Sequence, residues 1–341
     1  MPVHKRGFSF ESWGAKSLIN HISTGTSPSA YNNLNQQSHM IYDIIGDVHG
    51  QADKLENLFD LLGYTMQNGL YYQADHTPIF VGDLIDRGPQ QKRVLDIVRP
   101  MVTEGIAQTV MGNHEYNAIC YHIRKSNSSN GEWLRPHTEA NTTQHQVFLK
   151  DFPLDTEHTV NTIEWFTTLP LYLDLGNFRV IHACWDQQTI IKARQIGCIN
   201  ENNRLNHEQL ELSATKGTEQ FFIIERLLKG PELSGVEPFL DKDGIVRHEV
   251  RTRWWGDISV DSTYRDLAFW YDSDKVSIPD ILVDNHRRLP RYTDNLPAVF
   301  FGHYWLNTGV IQVQQSNVAC LDYSAGKAGP SWRTDLIQLK R

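Results

Sequence analysis

The chain has 341 residues, 40% hydrophobic and 21% charged, with a formal net charge of -8. That is ordinary globular composition, which excludes a disordered chain or a coiled coil and leaves ample length for a buried core. The acidic balance argues against a nonspecific nucleic-acid binder, whose affinity rests on a basic surface, but it does not exclude a phosphorylated substrate, because bound metal ions make a site locally positive.

The cysteines, Cys120, Cys184, Cys198 and Cys320, show neither CxxC spacing nor a dense framework and read as reduced thiols. No apolar run is long enough for a signal segment or a membrane span, so a cytoplasmic protein with no membrane partner is expected, working as a monomer. Residues 1–39 form an N-terminal extension. Its part from His21 to His39 is rich in Ser, Asn, Gln and Thr and reads as an extended lead-in to one domain over 40–341.

In that domain Ile41 to Ile45 reads as a strand that stops at GDVHG, followed by a helix through Leu55, Leu58, Phe59 and Leu62. Pro78 to Val81 is the next apolar run; it stops at GDLIDRG and leads into helical periodicity until Pro100 intervenes. A third run, Ala107 to Met111, ends in Gly112, Asn113, His114 and Glu115. Strands alternating with helices make a βαβαβ unit with parallel strands. Residues 124–146 are polar and read as a surface loop at the rim of a cleft.

Two later runs repeat the pattern. Phe178 to Ile181 ends in His182, and Pro297 to Phe301 ends in Gly302 and His303. Between them, residues 186–295 read as a cap-like insertion with a helix around Gly217 to Lys229, a turn at DKDG, and Trp254, Trp255, Trp270 and Tyr271. For those aromatics core packing is the first reading, ahead of substrate stacking. GVIQVQ, SNVACLDYSAG and WRTDLIQLKR read as three closing strands, with turns at Gln315 to Asn317 and at Gly326 to Pro330.

Ligands of open parallel sheets bind beyond the carboxyl ends of the strands, and here those ends carry Asp47, His49, Asp83, Asp86, Arg87, Asn113, His114 and Glu115. Carboxylate, amide and imidazole donors suit Mn, Fe or Zn, and one Asp between two clusters can bridge two ions. A metal pair about 3.5–4 Å apart is the usual arrangement for in-line attack on a phosphate.

GDVHG, GDLIDRG, GNHE, a later His and a terminal GH, in this order from Asp47 to His303, resemble the calcineurin-like metallophosphoesterases. The DRG points to the phosphoprotein phosphatase (PPP) branch, and within its bacterial side the overall similarity is to cold-active protein-tyrosine phosphatases. The resemblance implies an α/β fold in which two central β-sheets are flanked by helices, an αββα sandwich. It also implies two divalent ions, with Mn, Fe, Zn, Mg and Ca all open: Asp47, His49 and Asp83 for the first, with Asp83 bridging to a second completed by Asn113, His182 and His303. A hydroxide between the ions would attack phosphorus directly, His114 would protonate the leaving oxygen, Asp86 would orient His114, and Arg87 would grip the phosphate. A second phosphate-binding arginine would be Arg251 or Arg253.

The expected substrate is a phosphorylated protein or peptide, with phosphotyrosine preferred. One alternative keeps the metals and takes a dinucleoside polyphosphate. Another takes Cys198 and Arg204, which match the bare C-x5-R spacing of cysteine-dependent phosphatases but lack the glycines that would cradle phosphate. The last is a noncatalytic phospho-ligand binding protein.

Overall fold

The computed structural model describes residues 19–20, 40–126, 130–240, 246–256, 258–269, 278, 280–283, 289–306, 312–323 and 336–340. The first sheet holds β1 (Ile19–Asn20), β2 (Ile41–Ile45), β5 (His76–Phe80), β6 (Gln108–Thr109) and β13 (Leu336–Lys340) in the order β1-β13-β2-β5-β6. Between β2 and β5 lie α1 (Ala52–Leu62) and a hairpin of β3 (Thr65–Gln67) and β4 (Leu70–Tyr72). Its two-residue turn, Asn68-Gly69, takes positive φ at both positions, the conformation that matches strand twist.

β2, β5 and β6 run parallel, as the alternation of strand and helix predicts, and β13 closes against β2 in antiparallel register. α2 (Gln91–Thr103) does not stop at Pro100. Proline removes a single donor near the end of the helix, while Met101 beyond it is fully buried and anchors the last turn.

The chain continues through α3 (Asn113–His122), α4 (Glu139–Asp151) and α5 (Glu157–Thr167) into the second sheet. That sheet contains β7 (Tyr172–Asp174), β8 (Phe178–Ile181), β11 (Ala298–Phe301) and β12 (Val318–Cys320) in the order β12-β11-β8-β7. The polar segment 124–146 is therefore not all loop. Thr138 caps α4 by accepting the Asn141 N–H at 3.2 Å, and Phe148 buries its far end. Polar composition hid a helix whose apolar anchors lie mostly beyond the segment.

Period-two alternation explains the layers. Ile44, Ile79 and Val81 from the first sheet meet Phe178, Val180, Ala298, Phe300 and Ala319 from the second in one apolar layer between the sheets. Their sequence neighbours Ile45, Phe80, Ile181, Val299 and Phe301 face the opposite way, into the core shared with the helices. This is the expected αββα sandwich.

Between β8 and β11 come α6 (Gln187–Gln195), α7 (Leu210–Ser213), α8 (Glu219–Lys229), the antiparallel pair β9 (Glu232–Leu240) and β10 (Val246–Arg251), and α9 (Tyr264–Leu267). Part of this stretch has a small apolar cluster of its own around Leu233, Val250, Tyr264 and Val283. Trp254 and Trp255 are buried core residues packed at a tilt about Phe301, with ring centroids 5.0 and 5.1 Å away. Trp270, Tyr271, the DKDG turn and the turn at 326–330 lie outside the described residues. So does most of the 1–39 extension, and of GVIQVQ only 312–314 are described, without strand structure. Among the described residues no helix is long and apolar enough to cross a membrane.

Trp254 also donates its indole N–H to the Ala183 carbonyl at 2.9 Å, next to His182. Trp254→Ala is expected to cost about 3–5 kcal/mol of stability, checked by urea denaturation.

Candidate metal centre

Five strand ends converge. Asp47 and His49 follow β2, Asp83, Asp86 and Arg87 follow β5, Asn113 and His114 open α3 after β6, His182 follows β8, and His303 follows β11. One hydrogen bond stitches the two sheets here, His303 N–H donating to Asp47 Oδ2 (3.1 Å), while within the second sheet Gly302 N–H donates to the His182 carbonyl (2.8 Å). Of the nine described non-glycine residues with positive φ, five belong to this cluster: His49, Asp83, Asp86, Arg87 and His303. Such backbone costs roughly 1–3 kcal/mol per residue and persists where surrounding structure over-determines it.

Two glycines make the approach possible. A Cβ on Gly112 would lie 2.2 Å from Asp83 Oδ1, and one on Gly302 would lie 1.9 Å from Asp47 Oδ1. Glu115, which the sequence placed at the turn without a role, braces two strand ends. Its carboxylate accepts N–H bonds from Asp83 (2.9 Å), Leu84 (2.8 Å) and Gly112 (2.9 Å).

Asp83 is the centre. Its Oδ2 faces His49 Nε2 at 3.7 Å and His114 Nε2 at 3.8 Å, while its Oδ1 faces His182 Nε2 at 3.4 Å and accepts the His114 backbone N–H at 2.9 Å. Asn113 Oδ1 lies 3.0 Å from His182 Nε2 and 2.7 Å from His303 Nδ1. His49 Nδ1 donates to the Ile85 carbonyl (3.0 Å) and His182 Nδ1 to that of Val81 (2.8 Å), which turns both Nε2 lone pairs inward.

Burial pushes the His49 imidazole down to about 3 although Asp83 pulls the other way, so it is a neutral donor at physiological pH. His303 is held well below its ordinary value by burial and by the Arg251 charge. At His182 and His114 burial also opposes the cation, but carboxylates led by Asp83 outweigh it and raise both.

Two groups, His49–Asp83–His114 and Asp83–His182–His303, are spaced to hold a metal ion and share Asp83. His49 Nε2 and His303 Nε2 are buried with no hydrogen-bond partner among the described residues, as donors awaiting a cation would be. The residues fit divalent metal. His114 differs from the others in the partner of its Nδ1, which is a carboxylate, Asp86 Oδ2 at 2.6 Å, rather than a neutral carbonyl or amide oxygen. One residue the sequence did not single out is present: His145 of α4 holds the other Asp86 oxygen, Nδ1 to Oδ1, at 3.0 Å.

Arg87 stands exposed at the rim with its guanidinium 4.0 Å over the Trp305 ring. The structure separates the other two arginines. Arg251 lies 5.6 Å over Tyr304, next to His303, whereas Arg253 is on the surface, donating to the Asp266 carbonyl. Cys198 is buried, and burial pushes its thiol up to about 11, the opposite of what a nucleophilic thiolate needs.

A family model described as calcineurin-like phosphoesterase matches residues 40–304. The bis(5'-nucleosyl)-tetraphosphatase PrpE (asymmetrical) of Oceanobacillus iheyensis is 36% identical over 145 residues, covering 42% of this chain and 55% of that one. Its namesake from Bacillus subtilis is 31% identical over 147 residues, 42% of this chain and 57% of that one. The chain thus spans just over half the length of these relatives. A solved cold-active protein tyrosine phosphatase is 15% identical over 85% of this chain and 72% of that one, with a TM-score of 0.48, a likeness that says nothing of substrate.

Gly302→Ala should force Asp47 off its position. The expected outcome is a loss of about 1–3 kcal/mol in stability and weaker divalent metal retention, read by thermal melting and metal analysis.

Proposed function

The chain belongs to the calcineurin-like phosphoesterase family, and we propose that within it this protein is a two-metal hydrolase of dinucleoside polyphosphates. The similarity to bis(5'-nucleosyl)-tetraphosphatases over 42% of the chain is the observation that favours this substrate over phosphoprotein. The aromatic support for phosphotyrosine also falls away where it can be judged, since Trp254 and Trp255 are core residues.

Asp47, His49 and Asp83 would hold one ion, and Asp83, Asn113, His182 and His303 the other. When bound, two such ions supply Lewis-acid charge and acidify water, which provides a nucleophile at neutral pH.

The chain's own residues do the rest. Arg87, its planar fork resting on Trp305, binds phosphate oxygens in two places at once. Arg251 adds a second positive charge beside His303. His114 gives a proton from Nε2 to the departing oxygen while Asp86 keeps the proton on Nδ1. For an anhydride the leaving group is itself a phosphate and a weak base, so this proton contributes less than it does for an alkyl ester.

Metal analysis of gel-filtered protein should find two equivalents in the wild type, fewer in His49→Ala and in His303→Ala, and none in Asp83→Ala. Two equivalents retained in Asp83→Ala would remove the shared carboxylate from the centre. Under one metal condition, diadenosine tetraphosphate should be turned over at least about tenfold more efficiently than a phosphotyrosine peptide, a difference of about 1.4 kcal/mol in transition-state binding. The reverse preference would return the phosphoprotein reading, and EDTA should abolish both activities.

A further inference from the structure

Asp86 is gripped from two helices. His114, at the start of α3, takes Oδ2 at 2.6 Å, and His145, within α4, takes Oδ1 at 3.0 Å. The carboxylate is buried, and its own backbone N–H donates to Gln91 Oε1 at 2.6 Å. A carboxylate held by one oxygen can still swing about its soft terminal torsion; held by both, it cannot.

His145 is itself fixed on every side. It is 4% exposed, its ring stacks on Phe148 (4.7 Å between centroids, 21° between planes), and its Nε2 lies 3.3 Å from His122 Nε2. Two ring nitrogens that close require a proton on one and a lone pair on the other. His122 is held down to about 3 by burial and by the neighbouring His145 and stays neutral at physiological pH.

α4 is in turn pinned to α3. The Tyr121 and Thr142 hydroxyls are 2.8 Å apart, and the His137 ring stacks on Tyr121 at 3.8 Å while its Nε2 donates to the Tyr121 carbonyl at 2.8 Å. The helix that carries His114 in its first turn and the helix that carries His145 thus form one frame around Asp86.

We propose that His145 is a positioning residue: by binding the second oxygen of Asp86 it fixes that carboxylate so that the His114 ring stays aimed at the leaving-group oxygen. This rests on the reading of His114 as the proton donor. A histidine present only to fill the core would need no N–H toward Asp86. The two roles therefore part on substitution by a ring of similar size without nitrogen.

The experiment compares His145→Phe, which keeps the volume and the stack on Phe148, with His145→Asn, whose amide N–H stands in for Nδ1–H. In metal-loaded enzyme, His145→Phe should lower kcat on alkyl phosphomonoesters about 10- to 100-fold, with KM and metal content unchanged. Turnover of 4-nitrophenyl phosphate, whose leaving group needs little protonation, should stay near wild type. His145→Asn should recover most of the loss. An equal loss on both esters, or no rescue, would overturn the proposal.

A second readout does not need turnover. In metal-free protein the low-field NMR signal of the His114 Nδ1–H should broaden through solvent exchange in His145→Phe and return in His145→Asn. An unchanged signal in His145→Phe overturns the proposal. Should the wild type hydrolyse neither phosphoesters nor diadenosine tetraphosphate, the functional reading falls; in that case, and where only the anhydride is cleaved, this signal alone decides the role of His145. If His145→Phe does not fold, His145→Ala takes its place in both readouts.

Discussion

A buried carboxylate dictates most of what surrounds it. Asp83 is 2% exposed, and burying an ion costs several kcal/mol unless charge and hydrogen bonds offset the loss of water. Three imidazoles, His49, His114 and His182, stand within 3.8 Å of its two oxygens, and the His114 backbone N–H donates to one of them. Burial alone would raise its pKa, but the neighbouring histidines outweigh that and hold it well below the usual carboxylate range. Concentrated negative charge in a dry pocket attracts protons or metal, and the ring tautomers set by Ile85 and Val81 favour metal.

The sandwich brings this charge its partners. Three parallel strands of one sheet and two of the other end at the same edge, so residues as far apart as Asp47 and His303 touch through a 3.1 Å hydrogen bond. Glu115 and the two tight glycine contacts keep the strand ends from drifting apart. Around Asp83 the rigid parts are strand ends and helix starts, which are more precise supports than loops. Arg87 alone projects into solvent, and there Trp305 takes over the task of holding it.

The outer layer follows the same logic at one remove. Asp86 contacts His114, and His145, backed by His122, contacts Asp86, a chain of imidazole and carboxylate that leads away from the centre into the core between α3 and α4. Each member is held by the next through a bond no longer than 3.3 Å. Packed and hydrogen-bonded outer partners of this kind commonly decide how well a site of given composition works.

The sequence by itself determined the strand ends and their cargo. Short apolar runs broken by Gly-Asp, Gly-Asn and Gly-His are local signals, and the alternation of strand and helix implies parallel strands whose ends share one edge. Asp47, His49, Asp83, Asp86, Asn113, His114, His182 and His303 were legible for that reason. Only the tertiary structure decided the rest, because it depends on contacts between distant residues that no local pattern encodes. His145 reaches Asp86 across 59 positions from a segment whose composition reads as loop. Arg251 and Arg253, two residues apart and alike in sequence, separate because a strand end directs one toward Tyr304 and the other toward the Asp266 carbonyl. The tautomers of His49 and His182 follow from carbonyls 36 and 101 positions away. A residue type states which bonds a side chain is able to make; the packing of two sheets and their helices selects which of them it makes.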